Sequence, residues 1–428
     1  MKAGLKSMSI PRVGGGWDPE DESMWRVSGR SIALRNLAVS TFALFLSFSV
    51  STLGALVAVR LNQVGFDFSR QELFLLAALP GLIGATGRLV YTYLPALMGG
   101  RAFTLASMAS MLVPLIGLGL ALQDPSTPFW LMALWFSLLG PALSHFSGSM
   151  ANIGEFFPKR NRGTANGINA GVGNLGVAAA YLMAPLVVGS SLSAALDCSP
   201  CALHRACFLL IPPILVALAL VALLMDDVPV ARQSPAEALD PFRRMNLWLM
   251  AVVYSCGFGS FIGYSMAFPL IVSMVFPQSG SDWFIFLGPL AGASIRPVGG
   301  WISDRIQSGA CVAFASLVVM LAATLGVAIG VAQGDFAIFF WCMTALFLGT
   351  GLVNGASFCM IPHLFESRTT AGQVTGAVSA FAAYGAFFVP MLFRLDYMQA
   401  LAALAVFTAA TAALTWFAYA RRKAPFPC

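Results

Sequence analysis

Apolar stretches long enough to cross a bilayer recur twelve times along the 428 residues, at about 37–60, 72–97, 103–122, 128–156, 164–188, 206–225, 247–273, 283–303, 310–332, 336–364, 371–394 and 397–420. A helix rising 1.5 Å per residue covers the roughly 30 Å hydrocarbon core with about twenty such residues, so an all-α integral membrane protein is expected. Only 10% of the residues are charged, against about 25% in a soluble domain. Short polar turns such as QDPST and PKRNRG separate the stretches, and one longer break, DDVPVARQSPAEALDPFRRMN, carries the proline and mixed charge of a linker. The expected organisation is an N-terminal segment 1–36, a six-helix half 37–225, a linker 226–246, a second six-helix half 247–420 and a tail 421–428. The run that starts at Leu37 is too long for a signal-peptide core, so the first helix is expected to be retained.

The 24 Lys and Arg test this topology. With the N-terminus in the cytoplasm, 18 of them fall on that side and four, Arg60, Arg70, Arg205 and Arg394, fall outside. This is the positive-inside pattern and places both termini in the cytoplasm. The net charge of +6 thus follows from topology and calls for no nucleic-acid partner. Arg60 is expected to be a solvated loop charge or to attract anions to the outer mouth.

Two arginines belong to neither side. Arg88 lies 16 residues after Glu72 and 13 before Arg101, and Arg296 lies 14 after Asp282 and 8 before Asp304. A charge at such depth costs about 2.5–3.5 kcal/mol on insertion scales and normally faces a cavity and a partner. None of the 18 Asp and Glu lies mid-helix, Glu155 coming nearest. The missing negative charge is therefore expected to arrive as a ligand, with pairing to backbone carbonyls or helix ends as the competing reading. The two positions are 208 residues apart, close to half the chain. An internal duplication would bring one guanidinium from each half to the interface at the midplane, where transporters bind substrate. A planar guanidinium fork suits a small flat oxyanion, whereas a tetrahedral phosphate would want more donors.

Other residues could complete such a site. Helix 5, RGTANGINAGVGNLGVAAAYLMAP, sets Gly163, Gly167 and Gly171 four residues apart, followed by Gly173 and Gly176. Such a stripe serves close helix packing, but the interleaved Asn169 and Asn174 are polar beyond what packing needs and could donate to an anion or orient an arginine. In helix 7, Tyr254 and Phe258 share one face, and helix 4 offers Phe146; spacing alone leaves these as core or lipid-facing rings. Cys198, Cys201 and Cys207, with His204, could form a loop disulfide, bind metal, or have no chemical role. The three histidines, His145, His204 and His363, are scattered and no carboxylate is deep, which argues against a membrane enzyme. A sensor or scaffold would need a soluble domain, and the longest polar stretches are about 36 and 21 residues.

The segment GGWISDRIQSG, with Asp304 and Arg305, resembles the loop motif of the major facilitator superfamily, Gly-x-x-x-Asp-Arg-x-x-Gly; its first-half counterpart LPALMGGR is degenerate. GINAGVGNLGVAAA and GAVSAFAAYGAFFVP resemble the two nitrate signature stretches of the bacterial nitrate/nitrite porter family. YSCGFGSFIGYSMAF, GSMANIGEFFPK, VGFDFSRQELFLLAALP and WDPEDESMW resemble further segments of it, from residue 17 to residue 395. The resemblance implies the twelve-helix major facilitator fold in the bacterial inner membrane, with nitrate and nitrite as partners. It also implies a substrate held between Arg88 and Arg296, sandwiched by Phe146 and Phe258, with Tyr254, Asn169 and Asn174 nearby. Gly163, Gly167, Gly171, Gly173, Gly176 and Gly385 would let helices 5 and 11 slide and bend as the halves rock. No metal or other cofactor is implied, and a monomer is expected to suffice.

Without a deep carboxylate, the substrate itself must neutralise the arginines before the halves reorient. Obligatory exchange of nitrate for nitrite is therefore expected. His145, where a smaller amide is usual in the antiporter branch, is either a packing residue or a proton carrier, which keeps proton-coupled nitrate symport open. A facilitator-type carrier of another small anion is the remaining alternative.

Overall fold

Within hydrocarbon a backbone polar group has no partner but its own helix, and the long Leu, Val, Ala and Phe runs of this chain fold accordingly. The computed structural model describes residues 17–188, 203–228, 240–277, 284–365, 368–421 and 423–428, among which there is no strand. Ten helices among these residues are long and apolar enough to cross a membrane. In chain order they are α1 (Glu22–Ala58), α2 (Arg70–Tyr91), α3 (Gly100–Ala121), α4 (Phe129–Phe156), α6 (His204–Leu224), α7 (Met245–Val275), α9 (Gly309–Gln333), α10 (Phe336–Leu364), α11 (Val374–Phe393) and α12 (Tyr397–Ala420). Two further helical segments occupy the fifth and eighth places. They are α5 (Lys159–Val188) and α8, which runs as Leu287–Ser294 and resumes after Ile295 as Arg296–Ile306.

Helix α1 starts well before the expected Leu37. Asp21 caps it by accepting from the Ser23 and Met24 amides, as an N-cap aspartate does. The extension docks on the far end of α4: Trp17 Nε1 donates to the Glu155 carbonyl at 3.1 Å, Trp25 meets Phe157 edge to face, and Arg160 pairs with Glu22 at 3.0 Å. At the same end Arg35 and Asn36 hold Asp226 at 2.5 and 2.8 Å, the Arg101 amide donates to Asp227 at 2.9 Å, and Ser308 donates to the Cys428 carbonyl at 3.0 Å. The ion pairs found among the described residues thus gather at the end that carries Trp17 and Cys428.

At the opposite end the two halves are stitched together. The Tyr181 hydroxyl of α5 donates to the Ser265 carbonyl of α7 at 2.5 Å. Arg70 of α2 donates to the Phe393 carbonyl at 2.8 Å and lies 4.0 Å over the Tyr397 ring. Arg60 is not a solvated loop charge: it is buried, lining a recess at this end with Gln63, Tyr181, Pro269 and Ser273.

Candidate functional site: two buried guanidiniums

Glycines carry Arg88 into the interior. Gly84 and Gly87 of α2 lie so close to α4 that an added Cβ would sit 2.7 Å from Leu143 Cβ and 2.3 Å from Ser144 Oγ, and Gly81 is pressed likewise on Ala386 of α11. Such close approach needs residues without side chains and wedges α2 between the halves. Arg88 is 0% exposed. Its Nε donates to the Leu143 carbonyl at 3.1 Å and its Nη1 to the Ser379 carbonyl, in α11 of the other half, at 3.0 Å. The carbonyl pairing that competed with a ligand at the level of sequence therefore engages two of the three nitrogens, while Nη2 has no partner.

Arg296 reaches the same level by a different route. Pro297, in the first turn of the restarted helix, supplies no amide to bond back across the junction, and α8 breaks at Ile295 and restarts at Arg296. Arg296 is 5% exposed, and among the described residues neither its Nε nor its Nη2 has a hydrogen-bond partner. Among the described residues no carboxylate pairs with either arginine.

Aromatic rings fill the space between them. A π-helical turn, Ser255–Gly259, interrupts α7 at Phe258; such turns widen a helix locally and recur at functional sites. Phe258 stacks on Phe146 of the other half, centroids 5.8 Å apart, and on Tyr254 at 5.7 Å. The Arg88 guanidinium lies 4.6 Å from the Phe146 centroid and 4.8 Å from that of Phe258. Arg296 lies 5.6 Å from Phe258 and 4.3 Å from Phe261. The five residues Arg88, Arg296, Phe146, Tyr254 and Phe258, far apart in sequence, thus form one cluster. Phe261 joins it without having been expected, its ring being indistinguishable in sequence from many other apolar-helix phenylalanines.

The asparagines of α5 stand apart from this cluster. Asn169 accepts from Thr41 at 3.1 Å and donates to Ser149 at 2.9 Å, bridging α1 and α4. Asn174 donates to the Ala170 carbonyl at 2.6 Å and leaves its side-chain oxygen unpartnered. His145 turns toward α3, bonded through Nδ1 to Ser107 at 3.0 Å and stacked flat on Phe103. His363 bonds the Cys359 carbonyl at 2.7 Å. Asp304 accepts from the Cys359 thiol at 3.4 Å, and Arg305 lies over Trp301. Cys198 and Cys201 lie outside the described residues, so the question of a disulfide or a metal there does not arise in the structure; Cys207 is buried and free.

The glycines divide into two groups. Cβ atoms on Gly173 and Gly176 would strike Leu44 and the Phe45 carbonyl of α1, the latter at 2.0 Å, and one on Gly385 would strike the Gly259 carbonyl of α7 at 2.3 Å. Gly163, Gly167 and Gly171 would meet nothing within 4 Å. Among the described residues the expected packing stripe is therefore unfilled toward the end that carries Trp17 and Cys428, while at the opposite end Tyr181 and Arg70 link the two halves.

Residues 37–390 match the Major Facilitator Superfamily model. The chain is 36% identical over 446 aligned residues to the nitrate/nitrite transporter NarU of Escherichia coli (strain K12), covering 95% of this chain and 96% of that one. The chain belongs to the nitrate/nitrite porter family of the major facilitator superfamily. A second relative in this family, named "Probable nitrate/nitrite antiporter NarK2" in Thermus thermophilus, is 35% identical across 96% of this chain and 97% of its own. A bacterial homologue of the lysosomal transporter Spinster shares the fold with a TM-score of 0.67 and 16% identity, over 90% of this chain and 96% of that one. The porter is thus a multi-pass membrane protein with the major facilitator fold.

Proposed function

We propose that this porter exchanges nitrate for nitrite across the bacterial inner membrane by alternating access, clamping the anion between Arg88 and Arg296. The observation that carries this reading is the set of three buried guanidinium nitrogens, Arg88 Nη2 and Arg296 Nε and Nη2, that come from opposite halves and have no partner. A buried charge without a counter-ion is costly, and a small anion would satisfy both guanidiniums at once. The flat aromatic neighbours suit a planar, delocalised anion, and relatives named as nitrate/nitrite transporters support nitrate and nitrite as that anion.

With the termini in the cytoplasm, the unfilled Gly163, Gly167 and Gly171 line the cytoplasmic approach and the Tyr181 and Arg70 contacts close the outer one. Anion bound between the halves would neutralise the like charges and allow the inner ends to come together. Once that closure forms, the outer contacts can part. The empty carrier keeps both charges at the interface, which disfavours reorientation without cargo.

Purified porter in proteoliposomes tests this. Vesicles loaded with nitrite should take up labelled nitrate rapidly and empty ones should not. Strong uptake into empty vesicles driven by a pH gradient would replace exchange with proton symport, and failure to bind either anion would remove the substrate reading.

A further inference from the structure

Asn354 of α10 is 0% exposed, and among the described residues neither its side-chain oxygen nor its nitrogen makes a hydrogen bond of good geometry. An amide carries two donors and two acceptor lone pairs, and a buried amide without partners is uncommon enough to require a reason.

Its surroundings supply one. The adjacent Gly355 lies against the Arg296 backbone, an added Cβ falling 2.2 Å from that carbonyl, while a Cβ on Gly257 of α7 would lie 3.2 Å from the Asn354 amide nitrogen. Asn354 is thus wedged between α7 and α8 at the level where Arg296 enters. Its side chain lies within interaction range of the Tyr254 hydroxyl. Tyr254 in turn is within electrostatic range of both guanidiniums.

We infer that Asn354 is an anion-binding residue that fixes the orientation of a planar oxyanion, its amide N–H donating to an anion oxygen and its carbonyl oxygen accepting from the Tyr254 hydroxyl. Guanidiniums alone attract any small anion. A directional donor on one side of the site favours an anion with oxygens at fixed angles over a spherical one of similar size. This inference rests on the anion clamp proposed above and adds to it a residue that separates nitrate and nitrite from halides.

The test measures nitrate, nitrite and bromide binding to the detergent-purified full-length porter and to Asn354→Leu and Asn354→Ser, with thermal melting as a check on folding. The wild-type protein tests the clamp: absence of nitrate binding there ends both readings. If the wild type binds, Asn354→Leu should weaken nitrate about tenfold and leave bromide within about twofold, collapsing the selectivity ratio, and Asn354→Ser, which keeps a small donor, should recover part of it. Unchanged nitrate affinity in Asn354→Leu, or equal loss of nitrate and bromide in both variants, overturns the inference while leaving the clamp in place.

Discussion

Phe146 and Phe258, one from each half, stack directly on one another with centroids 5.8 Å apart and planes 20° from parallel, beneath the guanidinium of Arg88. Carbon surfaces touch at about 3.5–4.0 Å, so a flat anion between the rings would need a separation near 7 Å. A sandwich would therefore require the rings to part by more than an ångström. Phe146→Ala should leave the halves free to approach but remove one wall, lowering nitrate affinity, as direct binding would show. Unchanged affinity would mean that the anion binds beside the rings.

Replacing either guanidinium by an ammonium keeps the charge and removes the planar fork. A hydrogen bond to a charged group contributes about 1.5–3 kcal/mol, so Arg88→Lys and Arg296→Lys should each lose about 10- to 100-fold in nitrate affinity. Normal membrane insertion with lost counterflow is the expected pattern. Arg88→Lys should also weaken the link from α2 to the Ser379 carbonyl across the halves.

His145 contacts Ser107 and Phe103 in the structure and none of the clustered site residues except through its own backbone neighbour Phe146. His145→Asn should leave nitrate–nitrite counterflow and its pH profile unchanged between about pH 5 and about pH 8, the range in which an ordinary histidine titrates. A profile flattened by the substitution would return His145 to a proton-carrying role.

The two classes of glycine in α5 should separate folding from turnover. Gly176→Ala places a methyl 2.0 Å from the Phe45 carbonyl oxygen and should lower the melting temperature, overpacking costing about 1–3 kcal/mol. Gly167→Ala meets nothing in this conformation and raises helix propensity, so melting should be undiminished. If the stripe is what the inner ends pack on when they close, the same cost falls on the closed state alone. Exchange should then slow by about 5- to 100-fold with nitrate binding retained.

Glu22 sits outside the membrane core, and its carboxyl is held below the usual range first by the hydrogen bond from Arg26 and then by the charge of Arg160. Arg26 lies on the same helix as Glu22, so only the Arg160 contact ties the segment to α5; that attachment is complete above the free value near 4.5 and is lost as pH falls through the lower one. Docking of the Trp17 to Trp25 segment should therefore be insensitive to pH above about 5 and loosen as pH falls through the lowered value. Limited proteolysis of the N-terminal segment across this range would read it, and Glu22→Gln should show the loosened pattern at neutral pH.

Much of the architecture is legible in the sequence because hydrocarbon imposes its own grammar: span length and polar turns each follow from the cost of unpaired polar groups in lipid. Arg88 and Arg296 stand out for the same reason. Less legible was what surrounds them. The stretch GLIGATGR carries Gly81, Gly84 and Gly87 ahead of Arg88, a small-residue pattern that could have signalled the wedge between α4 and α11. Nothing local in GTGLVNGASF distinguished Asn354 from Asn169, which has the same side chain and a similar glycine-rich setting but spends its amide on Thr41 and Ser149.

By itself the sequence determined that this chain is a helical membrane protein with two arginines far from the ends of their apolar stretches, since charge and apolar length act residue by residue. Only the tertiary structure decided which carbonyls already hold Arg88, which amides remain unpartnered and which glycines face open space. Those depend on what neighbouring helices place within a few ångströms, and hydrogen bonds and steric contacts vanish over that distance.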